Sequence, residues 1–110
     1  MDAIYGAHIW GDFDAPYMNF ESGPRMASAD NFTIEVEGVS AHGSAPHQGV
    51  DAILAAAHII TEVQAIVSRM NDPLNPLVVT IGEIHGGQRF NIIANKVEME
   101  GTTRTCLLYT

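Results

Sequence analysis

The sequence predicts an α+β fold, the opening part of a split β-α-β-β-α-β unit with an antiparallel sheet and a long helix on one face. Three observations carry this. Residues 31–39 alternate apolar and polar side chains, residues 50–70 show helical spacing, and two β-rich runs, 77–85 and 97–105, follow.

In the first run Phe32, Ile34 and Val36 face one way and Thr33, Glu35 and Glu37 the other, the pattern of a half-buried antiparallel strand. In the second, Val50, Ile53, Leu54, Ala57, Ile60, Val63, Val67 and Met70 fall on or near one stripe, while Ile59 and Ile66 widen it. The alanines at 52, 55, 56 and 65 raise helix propensity. Asn71-Asp72-Pro73 ends the helix, because proline cannot continue it. LVVTIGEIH at 77–85 is β-branched and stops at Gly86-Gly87. In VEMEGTTRT, Val97 and Met99 alternate with Glu98 and Glu100. Upstream, DAIYGAHIW (2–10) reads as a short buried strand carrying His8, and MNFES as another. The unit is truncated after its third strand, which leaves a strand edge open and part of the sheet bare. Residues 1–30 form one region and 31–110 the partial β-α-β-β unit.

Composition narrows the function classes. A net charge of −8 argues against nucleic acid and anionic membrane surfaces as partners. No apolar run is expected to approach the ~18 residues of a membrane span, and no signal-peptide pattern opens the chain. A single cysteine, Cys106, excludes an internal disulfide and makes a reducing cytoplasm the expected setting. The sequon Asn31-Phe32-Thr33 is a chance match without a secretory signal.

The chemistry-bearing residues are few. His42 and His47 sit five apart in a loop of mostly small residues, GVSAHGSAPHQG, which is no zinc-ligand spacing. His58 lies mid-helix as a surface or interface residue, and His85 ends a strand. Cys106 has no histidine beside it in sequence, so a buried or incidental thiol is the simpler reading. GGQRFN lacks a phosphate-loop pattern. That leaves His42, His47, Asn91 and Arg104 at element ends. Asn91 could bond its own turn, and Arg104 could pair with a neighbouring glutamate at little energetic worth. Together they suit a carboxylate or acyl oxygen: histidine and asparagine donate, and arginine binds a carboxylate in a fork.

GVSAHGSAPHQGVDAI and GEIHGGQRFNIIANKVEMEGTTRT resemble the lid or dimerisation domain of the metal-dependent amidohydrolases that include aminoacylases, hippurate hydrolase, auxin-conjugate hydrolases and related carboxypeptidases. The family pattern runs roughly G-x-G-x-H-A-A-x-P-H-x-x-x-D-P-I, a helix, a strand, then G-G-x-x-x-N-V-I-P-x-x-V-x-x-x-G-T-x-R-T. YGAHIW resembles the family's G-x-H-V-W near the end of its catalytic domain.

The resemblance implies a ferredoxin-like lid that pairs with its twin through helix 50–70 and strand 77–85. It implies a divalent metal, zinc or manganese, in the intact enzyme, and amide hydrolysis of an N-acyl amino acid. His42 would be the catalytic and substrate-binding histidine reaching into the partner's site, Asn91 and Arg104 would hold the substrate carboxylate, and His8 would ligate metal. Ala94-Asn95 replace the family's Pro-Asp. The family's other metal ligands have no counterpart here, so the chain is expected to be an inactive fragment binding no metal alone. The competing expectation is a free-standing module that binds a small carboxylate or only self-associates.

Overall fold

The computed structural model describes residues 2–12, 14–23 and 26–105. Regular structure begins at β1 (Asp30–Glu37) and continues through α1 (Ala52–Ala65), β2 (Leu77–Gly86) and β3 (Lys96–Thr105). The sheet order is β1-β3-β2, and β3 runs antiparallel to both neighbours. β1 and β2, joined through α1, are therefore parallel with β3 between them. This is the split β-α-β arrangement within an α+β fold. The second helix and fourth strand expected of a ferredoxin-like unit are not among the described residues.

Alternation sets the faces of the sheet. Phe32, Ile34 and Val36 are half-buried, while Val97 and Met99 on β3 are buried under the helix. Ala52, Ala56, Val97 and Met99 make the core, with Ile34, Val36, Ile59, Ile60 and Ile81 packed around it.

The face that contacts the sheet keeps Ile60 and Val63 of the expected stripe and Ile59 beside it, but at its N-terminal half it is shifted onto Ala52 and Ala56. Ala52, Ala56, Ile59, Ile60 and Val63 face inward, spaced four, three, one and three apart. Val50, Ile53, Leu54 and Met70 are exposed. The physical reason is proximity: alanine has no side chain to hold the helix away, so the face bearing Ala52 and Ala56 can settle directly on Val97 and Met99. Ile59 belongs to this packed face, so a charge placed there would attack the core rather than a subunit contact.

Asp51 caps α1, its Oδ1 accepting from the amides of Ile53 and Leu54 at 2.9 and 3.1 Å. A π-helical turn, Ile66–Met70, follows, and the Asn71 amide donates to the Ile66 carbonyl. Taken together, Ala52–Met70 is long and apolar enough by length and composition to cross a membrane. His58, Glu62, Gln64 and Arg69 interrupt it, and its alanine face lies on the sheet.

The strands expected at 2–10 and in MNFES do not form. The described residues of this stretch have no helix or strand, and Ile4, Tyr5, Ile9 and Phe20 are exposed. A strand is completed by hydrogen bonds to a neighbour, and none pairs with these residues. Cys106 and the tail lie outside the described residues. The chain joins the sheet at Ser28, whose amide donates to the Thr105 carbonyl at 2.7 Å and whose hydroxyl lies 2.8 Å from that of Thr105.

Candidate functional site

The loop carrying His42 is built by close backbone approach. Val39 and Val50 exchange backbone hydrogen bonds at 2.9 Å, which folds residues 39–50 into one closed excursion. A Cβ on Gly49 would stand 2.6 Å from the Val39 carbonyl oxygen and 2.8 Å from the Ala41 Cβ. The small residues around His42 thus have a reason inside the chain: the loop closes on itself without room for side chains.

That loop is laced to a second one. The Gly43 amide donates to the Asn91 carbonyl at 2.8 Å, the Ile93 amide donates to the Ala41 carbonyl at 2.9 Å, and His42 bridges Ile92. A Cβ on Gly43 would lie 3.0 Å from the Asn91 carbonyl oxygen. Asn91 sits in a turn closed by the Ile92 amide and the Arg89 carbonyl. His42 and Asn91, about fifty positions apart in sequence, are thereby held side by side. Both are exposed, and the Asn91 carboxamide has no hydrogen-bond partner among the described residues. The Nδ1 of His42 faces Ser44, 3.1 Å from its amide nitrogen and 2.7 Å from its hydroxyl. His47 is exposed on the 3-10 turn Pro46–Gln48 of the same loop.

Arg104 is elsewhere. It pairs with Val78 near the opposite end of β3, eight residues from Lys96 or about 25 Å along the strand. Its side chain is exposed and makes no ion pair among the described residues, so the neighbouring glutamates do not occupy it. The structure brings His42 and Asn91 together and leaves Arg104 at the far end of the sheet.

His8 lies in the N-terminal stretch, whose described residues form no strand or helix. Its Nδ1 donates to the Ile9 carbonyl at 2.6 Å, and its ring tilts at 54° against Trp10 with centroids 5.0 Å apart. Such a bond leaves Nε2 with the lone pair that metal ligation needs. A metal site needs at least three such donors, however, and no group of three or more His, Cys, Asp or Glu gathers among the described residues. The residues present do not by themselves fit a metal.

The sheet face away from the helix is acidic, a feature the sequence reading did not single out although the alternation of Glu35, Glu37, Glu98 and Glu100 spells it. The register sets Glu35 opposite Glu98, Glu98 opposite His85, and Glu100 opposite Glu83. Lys96 bridges Glu35 at 2.7 Å. The ammonium holds the Glu35 carboxyl below its usual range, and the carboxylate raises Lys96 in turn. His85 bonds Glu83, whose carboxylate raises the imidazole's pKa, with Glu98 and Glu100 adding to the effect. A shallow groove of about 400 Å3 crosses this face over Gly82 and Gly101, away from His42.

Comparisons with known proteins bear on this geometry. The profile of a peptidase dimerisation domain matches residues 27–108. The chain is 41% identical over 105 residues to the N-acetyl-L-cysteine deacetylase of Bacillus subtilis, covering 96% of this chain and 25% of that protein. It is 39% identical over 105 residues to the N-acyl-L-amino acid amidohydrolase of Geobacillus stearothermophilus, covering 96% of this chain and 28% of that enzyme. A crystal structure from methicillin-resistant Staphylococcus aureus, described as that of an aminohydrolase, superposes with a TM-score of 0.76 at 38% identity, over 79% of this chain and 23% of that one. The chain thus spans about a quarter of the length of the curated relatives it matches.

Proposed function

The chain belongs to the peptidase dimerisation domain family, and from that premise we propose that it is the self-association and active-site lid segment of an N-acyl-amino-acid amidohydrolase. Alone it is inactive; in the intact enzyme the reaction is metal-assisted hydrolysis of an amide. The observation that carries the reading is the separation of the site residues. His42 and Asn91 share one end of the sheet, and Arg104 lies near the other. No small carboxylate can touch all three within one chain, which disfavours the free-standing carboxylate-binding module.

A two-fold pair resolves the separation. The outer edges of β1 and β2 both pair with no strand among the described residues, and β2 is the edge taken here for the pair. If two copies join antiparallel through these edges, strand directions reverse across the axis. The Arg104 end of one copy then lies beside the His42 and Asn91 end of the other, with the two β3 strands about 15 Å apart, three strand spacings. In this assembly His42 serves the partner's substrate as an oxyanion donor, and Asn91 of one copy and Arg104 of the other grip its carboxylate from two sides. A histidine or asparagine donor aimed at a developing oxyanion contributes roughly 3–4 kcal/mol in such reactions. His8 would contribute one ligand to a metal whose remaining ligands this chain does not supply. A cytoplasmic setting accords with the single cysteine.

The test is the mass in solution by light scattering after size exclusion, for the chain, for Ile66→Glu on the exposed helix flank and for Val78→Lys on the open edge. The expected result is twice the 11.9 kDa chain mass, falling to one chain mass in both variants. A wild-type monomer, or dimers in both variants, would overturn the pairing.

A further inference from the structure

We propose that Ser44 is a positioning residue that fixes His42 as its Nε2–H tautomer, making the imidazole a one-directional donor to an acyl oxyanion or carboxylate oxygen. The Ser44 backbone N–H lies against Nδ1 of His42 at 3.1 Å. An amide N–H only donates, so Nδ1 must present its lone pair. The Ser44 hydroxyl, 2.7 Å from the same nitrogen, then donates as well. A neutral imidazole carries one proton on one of its two nitrogens. With Nδ1 occupied as an acceptor, the proton sits on Nε2.

The surroundings keep the ring in this state. The Ala45 amide donates to the His42 carbonyl at 2.8 Å, closing the turn that brings Ser44 beneath the ring. The Gly43 amide is tied to the Asn91 carbonyl, so the turn cannot rotate away from the second loop without breaking that bond. Nε2 has no partner among the described residues, and the side chain is exposed. The outward nitrogen therefore offers a hydrogen to whatever approaches. An oxyanion or carboxylate oxygen is attracted. A metal ion is not, because the lone pair it would need is already engaged. The opposite tautomer would aim a lone pair at the same oxygen and repel it.

The tautomer follows from hydrogen-bond chemistry alone; the identity of the oxygen rests on the function proposed above. The experiment separates the two. Long-range 1H–15N correlation on the labelled chain, with His42 assigned by comparison with His42→Gln, reads the protonation of each ring nitrogen. His58, exposed on α1 and with no hydrogen bond to its ring among the described residues, supplies the internal reference. The expected result is a fully protonated Nε2 and an unprotonated Nδ1 at His42. Ser44→Ala should move both resonances part of the way to the His58 pattern, since the backbone donor remains, and Ser44→Thr should restore them. A His42 pattern matching His58 in the wild type, an Nδ1–H form, or no response to Ser44→Ala would each overturn the proposal. A monomer by light scattering with the expected tautomer would sink the pairing and leave this inference standing.

Discussion

Residues 2–23 and residues 28–105 are both rich in apolar side chains, yet among the described residues only the second region buries any of them. Tyr5 and Ile9 are 97% and 95% exposed, whereas Val97 and Met99 are 1% and 0% exposed. Hydrophobicity does not separate the two regions; partners do. β3 has a strand on each side and a helix above it. The N-terminal stretch has comparable residues but no neighbouring strand among the described residues, so its apolar pattern gains no ladder there. The family match at 27–108 begins where the regular structure begins.

The comparison predicts where stability resides. The largest effect should come from Met99→Ala, because its side chain is wholly buried between helix and sheet; about 2–5 kcal/mol should be lost in chemical denaturation. A loss below ~1 kcal/mol would mean that the small core is not what holds the domain. Asp51→Ala should cost about 1 kcal/mol by removing the cap of α1.

A smaller effect is expected on the exposed acidic face. Glu83→Gln should let the raised pKa of His85 fall back toward the ordinary imidazole value, read by NMR titration. The sign follows from the direction of the shift. A raised folded-state pKa contributes stability that is fully present below the unfolded value of about 6.5 and is lost as pH rises through the raised value. An unchanged His85 titration would show that Glu98 and Glu100 act without Glu83. The smallest effect belongs to the other side of the comparison. Deleting residues 2–25 should move stability by no more than about 0.5 kcal/mol, measured by denaturant midpoint. A larger shift would break the contrast between the two regions.

Local pattern made most of the architecture legible. Alternation at 31–37 and 97–100 appears as β1 and β3, and the Pro73 stop follows the end of the helical turns. Two local readings failed for nonlocal reasons. The bulky stripe packs only in part, at Ile60 and Val63; in the first turns Ala52 and Ala56 pack in place of Ile53 and Leu54, because close approach to the sheet favours small side chains. The apolar N-terminal runs look like strands, but a strand exists only with a neighbour. The site divides in the same way. His42, Asn91 and Arg104 stand out by residue type and by likeness to a family pattern. Nothing in their spacing says that two of them share one end of the sheet and the third lies near the other.

What the sequence by itself determined is the periodicity, the caps and stops, the net charge and the residue types available for chemistry, since these depend only on neighbours along the chain. What only the tertiary structure decided is which helix face is covered, which strand sits in the middle of the sheet, and that residues 41–43 meet 91–93. Those outcomes depend on contacts between segments tens of residues apart, where backbone hydrogen bonding and close packing, rather than local preference, select the partner.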